Sequence, residues 1–534
     1  MMYDTIILGA GSAGCVLANR LTEDPDRRVL VLEAGGDAPI NSRVPSDWVT
    51  LFNTEHDWSY HTVAQEGCRG RRIFWPRGKM VGGSGAMNAM IYIRGLPSDF
   101  DAWEREEGCA GWGWDAMLRE FIASENNVQF GNDPLHGSSG PLHVQNPTHT
   151  HPCEHAWIEA GVAAGYPANP DFNGVSQEGF GFFQLLVRDG IRSGPNRAYL
   201  EPALARPNLT LERHVRITRI VIEKDRAVGV EFLRNGRHEV VRAEDGIVVA
   251  AGAINTPHLL MLSGIGPAAV LASHGIETHA DVAEVGQNLQ DHINIPISFY
   301  TREETGVGAW DAAFLEESFR EWQEQGTGPR SVNWAAAGAH VSTRAGEEPD
   351  LQFYGAVSPH RDYGRFLADR SGMTMHTVLQ RPRSRGEVRL LSADPLAAPL
   401  IDPKYFSSDP TGDDMARLIE GIRIQRRLAQ TPPLAPLLGA EMQPSVDCRS
   451  DSEVEHYIRG HCTTLYHAAG TCRMGSDDAA VVDSASLRVN GIDDLHVADA
   501  SVIPRMISGN IQATVIAIAE RAARSIRNGG HGFA

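Results

Sequence analysis

Residues Tyr3 to Gly36 read YDTIILGAGSAGCVLANRLTEDPDRRVLVLEAGG, and this stretch decides the fold. Thr5 to Leu8 is a short apolar run of strand-forming residues, and Gly9, Gly11 and Gly14 follow it in G-x-G-x-x-G spacing. Val16 to Leu21 starts a helix, and Arg28 to Leu32 is a second β-branched strand ending on Glu33. Gly9 lets the chain turn sharply, Gly11 lets the backbone approach a pyrophosphate, and Gly14 lets the helix pack close to the strand. The helix N-terminus offers free N–H groups and a partial positive charge to the phosphates. Glu33, 19 residues after Gly14, is placed to accept hydrogen bonds from a ribose hydroxyl. An acid there favours a free 2′-hydroxyl, so FAD or NAD fits better than NADP, and the motif alone leaves those two open.

With 534 residues the chain holds two or more structural units, because single cores stop growing near ~250–300 residues. A net charge of −19 argues against nucleic acid or an anionic membrane as the main partner. The seven cysteines are scattered and none forms C-x-x-C, so reduced thiols in a cytoplasmic protein are expected, without a zinc site or a disulfide framework. The N-terminal apolar run belongs to the nucleotide-binding strand, with no basic region or cleavage site of a signal peptide. No run of ~18 apolar residues appears, so no transmembrane segment is expected. His149, His151 and Cys153 lack a fourth ligand at close spacing, and a solvated loop is expected there without a metal.

Phe74 to Gly95 carries Arg77 and Lys79, then Gly82-Gly83-Ser84-Gly85, with Asn88 following. Small residues in that number permit close approach to a flat or anionic ligand. Gly111-Trp112-Gly113-Trp114 predicts a tight turn before a helix from about Asp115 to Ser124. Residues 131–192, rich in Gly, Pro, His and Asn, read as loops and short elements. Leu209–Glu212, Val215–Glu223 and Ala227–Leu233 read as an antiparallel meander, and Gly246–Ala251 as a buried strand before a helix starting near Thr256-Pro257. Leu351–Val357, Met373–Gln380 and Gly386–Leu391 read as a second sheet, followed by an amphipathic helix at Asp413–Ala429. Leu495–Ala498 is the last strand, leading to a helix at Ile511–Ile526 whose Val515, Ile518, Ala519, Ala522 and Ile526 share one face. The nucleotide-binding pattern is thus carried by the N-terminus, the middle and the C-terminus, with the sheet of residues 300–450 inserted over the cofactor.

Seven segments resemble motifs of the glucose–methanol–choline family of FAD-dependent oxidoreductases, over almost the whole chain. They are GAGSAGCVLANRL…VLVLEAGG, RGKMVGGSGAMNAMIYIRG, GAINTPHLLMLSGIGP, VGQNLQDH, RPRSRGEVRLLSADP, YHAAGTCRMG and HVADASVIP…GNIQATVIAIAERAA. The resemblance implies an α/β chain: a Rossmann-like FAD-binding domain with an inserted α+β substrate-binding domain carrying a mainly antiparallel sheet. Residues 1–155, 193–296 and 450–534 would form the FAD-binding domain, 156–192 a connecting or substrate-domain segment, and 297–449 the substrate-binding domain. It also implies FAD over NAD. Gly9, Gly11, Ser12, Ala13, Gly14, Glu33 and Ala34 would hold the ADP half, and Gly82, Gly83 and Asn88 would line the pyrophosphate and flavin. Val215 would meet the adenine through its backbone, Asp499 and Ala500 would sit near the ribityl chain and phosphates, and Ala251 and Gly252 would also bind the cofactor. Asn510, Ile511, Gln512 and Thr514 open the last helix, whose N–H groups would face the flavin's C2 oxygen and stabilise the charge of reduced flavin. Some members attach FAD through a histidine at the position of Met87; methionine forms no such bond, so non-covalent FAD is expected.

Flavin-dependent alcohol oxidation needs a base near the hydroxyl, with the carbon against flavin N5. The resemblance implies His467 as that base and Asn510 as the partner on the same oxygen. His461 is expected to be a support or core histidine, and His292 to anchor a turn. Choline-oxidising members carry a glutamate in the strand resembling Asn333-Trp334-Ala335-Ala336-Ala337-Gly338, and the matching residue here is expected to be Ala336. With Trp334 and Tyr466 also lining the pocket, an uncharged primary or polyol-like alcohol is expected to be oxidised to its aldehyde. Oxygen or a quinone-type carrier would accept the electrons. The alternatives on the same fold are a flavin-dependent lyase or photodecarboxylase, choline-type amino alcohol oxidation, and a flavin-binding sensor without turnover.

Overall fold

The computed structural model describes residues 2–304, 311–361, 366–367 and 370–529. In chain order, β1 (Met2–Leu8), α1 (Ser12–Leu21) and β2 (Val29–Leu32) form the opening unit. Then come α2 (Trp114–Ser124), α3 (Pro152–Ala163) and β3 (Gly179–Phe182). The middle holds β4 (Leu209–Glu212), β5 (Val215–Glu223), β6 (Arg226–Arg234), β7 (Arg237–Val249) and α4 (Gly252–Leu262). β8 (Ile293–Thr301), β9 (Ala337–Val341), β10 (Leu351–Ala356), β11 (Gly372–Leu379), α5 (Asp413–Ala429) and β12 (Leu438–Gln443) follow. The chain closes with α6 (Asp451–His461), β13 (Thr463–Thr464), β14 (Leu495–Val497) and α7 (Gln512–Arg527).

The first sheet has the order β4-β2-β1-β7-β6-β5, with β14 also on β7. β4, β2, β1, the end of β7 and β14 run parallel, and the central ones carry buried apolar runs such as VLVL in β2 and IVV at the end of β7, while the edge strand β4 (LTLE) is half-buried. The antiparallel part shows the opposite pattern. β7 alternates exposed and half-buried residues until Asp245, then buries Gly246 to Val249 where it joins β1 and β14. α1 packs on α7, and Arg20 joins them through a 2.7 Å ion pair to Glu520.

The second sheet has the order β12-β8-β11-β10-β9-β3 and is antiparallel throughout, with β13 added on β8. α3 and α5 cover one face. Period two along β10 turns Leu351 and Gly355 toward those helices, because a Cβ on Gly355 would meet Trp157 of α3 at 3.0 Å. Gln352, Tyr354 and Ala356 therefore share the other face. Among the described residues no helix is long and apolar enough to cross a membrane, and all seven cysteines are free.

Several expectations are corrected. Residues 131–192 are not merely loops: α3 is a three-turn helix and β3 an edge strand of the second sheet. The buried face of α3 includes Cys153, Ala156, Trp157, Ala160 and Gly161, at helical spacing but mostly small, while Ile158 and Val162 lie on the outer side, so the hydrophobic contrast between faces is weak. The legible signal was Pro152 at the first helical position, with Glu154 returning to the His151 N–H at 2.8 Å. Leu209–Glu212 leaves the meander and pairs in parallel with β2. The strand Glu387–Arg389 pairs with Leu400–Asp402 in a two-stranded sheet outside the second sheet. α4 starts at Gly252, not at Thr256, so Pro257 is inside the helix. The helix tolerates it because the Ala253 carbonyl, which Pro257 has no N–H to reach, accepts Thr471 Oγ1 at 2.6 Å. The second sheet also takes β8 from Ile293 and β13 at Thr463–Thr464, so its strands cross the expected boundaries at 296/297 and 449/450.

Candidate active site

A cavity of about 1020 Å³ is lined by residues of both sheets. At one end its walls are backbone. Gly9 has φ +103°, and a Cβ there would stand 2.7 Å from the Ala250 carbonyl oxygen. Gly83 has φ +51°, and a Cβ would stand 2.8 Å from Gly11 Cα. Two glycine turns thus meet with no room for side chains, leaving the start of α1 open to the cavity at Gly11, Ser12 and Ala13. Glu33 is buried beside Ala34. Burial raises its pKa, while its oxygens accept the Ala10 and Gly35 N–H groups, each at 2.8 Å. Gly14 lies behind this wall, where a Cβ would be 1.9 Å from the Gly9 carbonyl oxygen.

Other expected cofactor residues divide between lining and support. Asn88, Val215, Ala251, Gly252, Asp499 and Ala500 line the cavity. The Val215 N–H is already donated to the Glu33 carbonyl at 2.9 Å. Asp499 accepts from Gly252 N (2.8 Å), Thr256 Oγ1 (2.6 Å) and Ser501 N (2.8 Å), so it also caps α4. Gly82 and Thr514 do not line the cavity: Gly82 holds the turn by donating to Ala10 O at 2.7 Å, and Thr514 is buried in the first turn of α7. Ile511 and Gln512 bring the start of α7 to the wall. Gln512 Oε1 accepts from Ser12 Oγ at 3.1 Å, while its Nε2 is buried with no partner. The glycine cradle, the acid and this orphaned donor fit a dinucleotide.

At the other end the chemistry is carried by side chains. His467 follows Tyr466, a non-glycine residue at φ +68°. That bend is held by Thr464 Oγ1 on Tyr466 N (2.6 Å), by Arg77 on Tyr466 O (2.5 Å) and by Asp291 Oδ1 on His467 N (2.8 Å). Asn510 Nδ2 lies 3.4 Å from His467 Nε2. Its Oδ1 accepts from Gln352 Nε2 (3.1 Å) and Tyr354 OH (3.2 Å) on β10, which turns the amide N–H toward the histidine.

His292 is not a turn anchor. Its Nδ1 is 2.8 Å from His467 Nδ1, and its Nε2 faces two carbonyl oxygens, Gln380 O at 3.0 Å and Ile507 O at 2.9 Å. Two acceptors require the proton on Nε2, so a neutral His292 has a bare Nδ1, and His467 must donate its own Nδ1–H there. His467 Nε2 is then unprotonated. Burial pushes His292 down to about 4, and burial, followed by the neighbouring His292 ring, beside which a second proton would be repelled, and the Arg77 charge, holds His467 well below the ordinary imidazole value. The result is a neutral histidine with its lone pair beside Asn510, a general base in form.

The matching family model is GMC oxidoreductase, over residues 3–294 and 382–519. The chain belongs to the GMC oxidoreductase family. It is 40% identical to the alcohol dehydrogenase [acceptor] of Pseudomonas putida, covering 98% of this chain and 96% of that one. It is 38% identical to the mitochondrial choline dehydrogenase of Homo sapiens, over 98% and 90%. Among solved structures it is similar to pyridoxine 4-oxidase from Mesorbium loti, at 34% identity and TM-score 0.90, over 98% and 99% of the two chains.

A GMC oxidoreductase binds FAD, and the residues that could hold it here are the glycine wall, Glu33 and the start of α7. Met87 also lines the cavity. Trp334 and Tyr466 line the cavity, and Ala336 does not. Ala336 is buried in the strand approach and its carbonyl accepts the Phe183 N–H at 2.8 Å, while Ala335 faces the cavity. Trp334 at φ +59° shifts the side-chain alternation by one residue, which the sequence pattern did not signal. His461 is also not in the core: it ends α6, exposed, stacked on Tyr457 at 4.4 Å and lining the mouth. His151 caps α3 through Nδ1 on Cys153 N at 3.1 Å, and His149 lies edge-on to Trp334 at 5.9 Å.

Proposed function

We propose that this GMC oxidoreductase oxidises a primary alcohol to its aldehyde, with FAD held non-covalently. The observation that carries the reading is the pairing of an unprotonated His467 Nε2 with the Asn510 amide N–H at one end of the cavity. Bound FAD supplies the hydride acceptor at N5. His467 takes the hydroxyl proton at Nε2, and Asn510 donates to the same oxygen and orients it. His292 keeps the base in the correct tautomer, and Tyr354 with Gln352 keeps the amide turned inward. The reactive end of the substrate carries no cationic group. Among the described residues the acids lining the cavity are Glu33 and Asp499, both at the dinucleotide side and both engaged in backbone hydrogen bonds, so a quaternary ammonium would find rings but none of the described carboxylates free to pair with it.

An anaerobic bleaching panel tests this. The purified yellow protein is mixed with aliphatic, aromatic, sugar and amino alcohols, and flavin absorbance is followed, then re-oxidation by oxygen or a quinone. Primary alcohols are expected to bleach the flavin, and choline poorly. Failure of every alcohol, with cyanohydrin cleavage or light-driven CO₂ release instead, would contradict the assignment.

A further inference from the structure

The alcohol end of the cavity opens to solvent through a cationic rim. Arg71, half-buried, and Arg72, exposed, line it together with exposed His61 and His461. Arg71 donates to the carbonyls of Cys462 (2.9 Å) and Arg459 (3.4 Å), and Arg72 Nε to Thr62 O (3.4 Å). Among the described residues neither guanidinium has a carboxylate partner, in a chain whose net charge is −19. Two uncompensated cations at a cavity mouth, in so acidic a protein, mark a place where an anion is stabilised.

Between this rim and the base runs an aromatic wall. His61 lies 5.4 Å from Phe74, Phe74 6.0 Å from Phe52, and Phe52 5.6 Å from Tyr466, which precedes His467. A molecule lying along it meets, in order, cations, apolar rings and the base. We infer that the preferred substrate is an alcohol with a carboxylate at the opposite end of an apolar chain or ring, the carboxylate held by Arg72 and Arg71 while the hydroxyl reaches His467. This rests on the alcohol-oxidising reading and adds what the far end of the substrate carries.

Anaerobic reduction of the FAD-loaded protein isolates the substrate from any effect on the electron acceptor. ω-Hydroxy carboxylates of increasing length are compared with their own methyl esters, which keep the hydroxyl and the chain but remove the charge. Reduction efficiency for the acid is expected to exceed that for the ester roughly fivefold at the best-fitting length, the size of a partly exposed ion pair, and to shrink with added salt. Arg72→Gln should bring the acid-to-ester ratio near one, Arg72→Glu should invert it, and Arg72→Lys should retain most of it. Esters reduced as well as acids, or a ratio that Arg72→Gln leaves unmoved, would overturn the inference while leaving alcohol oxidation standing. Bleaching by neither series nor by simple alcohols would overturn both.

Discussion

The two ends of the cavity are built from different materials. At the dinucleotide end, backbone meets backbone: Gly9 against Ala250, Gly83 against Gly11, Gly14 against Gly9. At the alcohol end every active atom is on a side chain, and each is held by another side chain or by a carbonyl from a distant part of the sequence. His467 is oriented by His292, 175 residues away, and Asn510 by Tyr354, 156 residues away. A wall of backbone has no intermediate state, because an added methyl either fits or displaces the chain. A relay of side chains loses its function in steps.

The comparison predicts a ranking of effects. Gly14→Val places carbon where the Gly9 carbonyl stands, so the largest effect expected is loss of bound FAD altogether, read as visible flavin absorbance per chain. A variant that retained full FAD would break the contrast. His467→Ala leaves the glycine wall untouched and should slow anaerobic flavin reduction ~10²–10⁴-fold with FAD still bound. His292→Ala removes only the orienting partner, and ~10–100-fold is expected, with FAD content again unchanged. Glu33→Gln keeps the shape of the dinucleotide end but removes a charge, and should weaken FAD about tenfold by titration of the apoprotein, as for one charge-assisted hydrogen bond. The smallest effect is that of pH. A base must be unprotonated, so its rate falls as pH falls through its pKa. Because the His467 pKa is depressed, the reduction rate should stay flat across neutral pH and decline only below the ordinary imidazole value of about 6.5.

The same division explains what the sequence reveals. The glycine wall is local: strand, turn, helix and acid lie within 34 residues, and their spacing states their geometry. α5 was legible for a similar reason, since it buries a stripe that includes Met415, Leu418, Ile422 and Leu428, whereas α7 is buried nearly all round from Ala513 to Ala523, beyond the single face read from its sequence. His292 was not. It sits beside Asp291, and two buried titratable residues ahead of the apolar strand β8 were a signal that something polar waits inside. Nothing in the spacing says that both reach residue 467, Asp291 to its N–H and His292 to its ring. Ala336 failed for another reason: one residue in the left-handed region, Trp334, shifts the alternation, and tryptophan gives no hint of it. α3 hid because its buried face is mostly small residues and its outer side carries Ile158 and Val162, which leaves little hydrophobic contrast between the two.

The central claim is that one hydroxyl oxygen is touched by both the imidazole at 467 and the amide at 510 while its carbon faces the flavin. A crystal structure of the FAD-loaded protein with an unreactive alcohol analogue measures this directly. The account predicts the analogue's oxygen within hydrogen-bonding distance of His467 Nε2 and Asn510 Nδ2, with the adjoining carbon on the N5 side of the ring. An oxygen bound by neither group, or a ring whose N5 faces away from the pair, would contradict it.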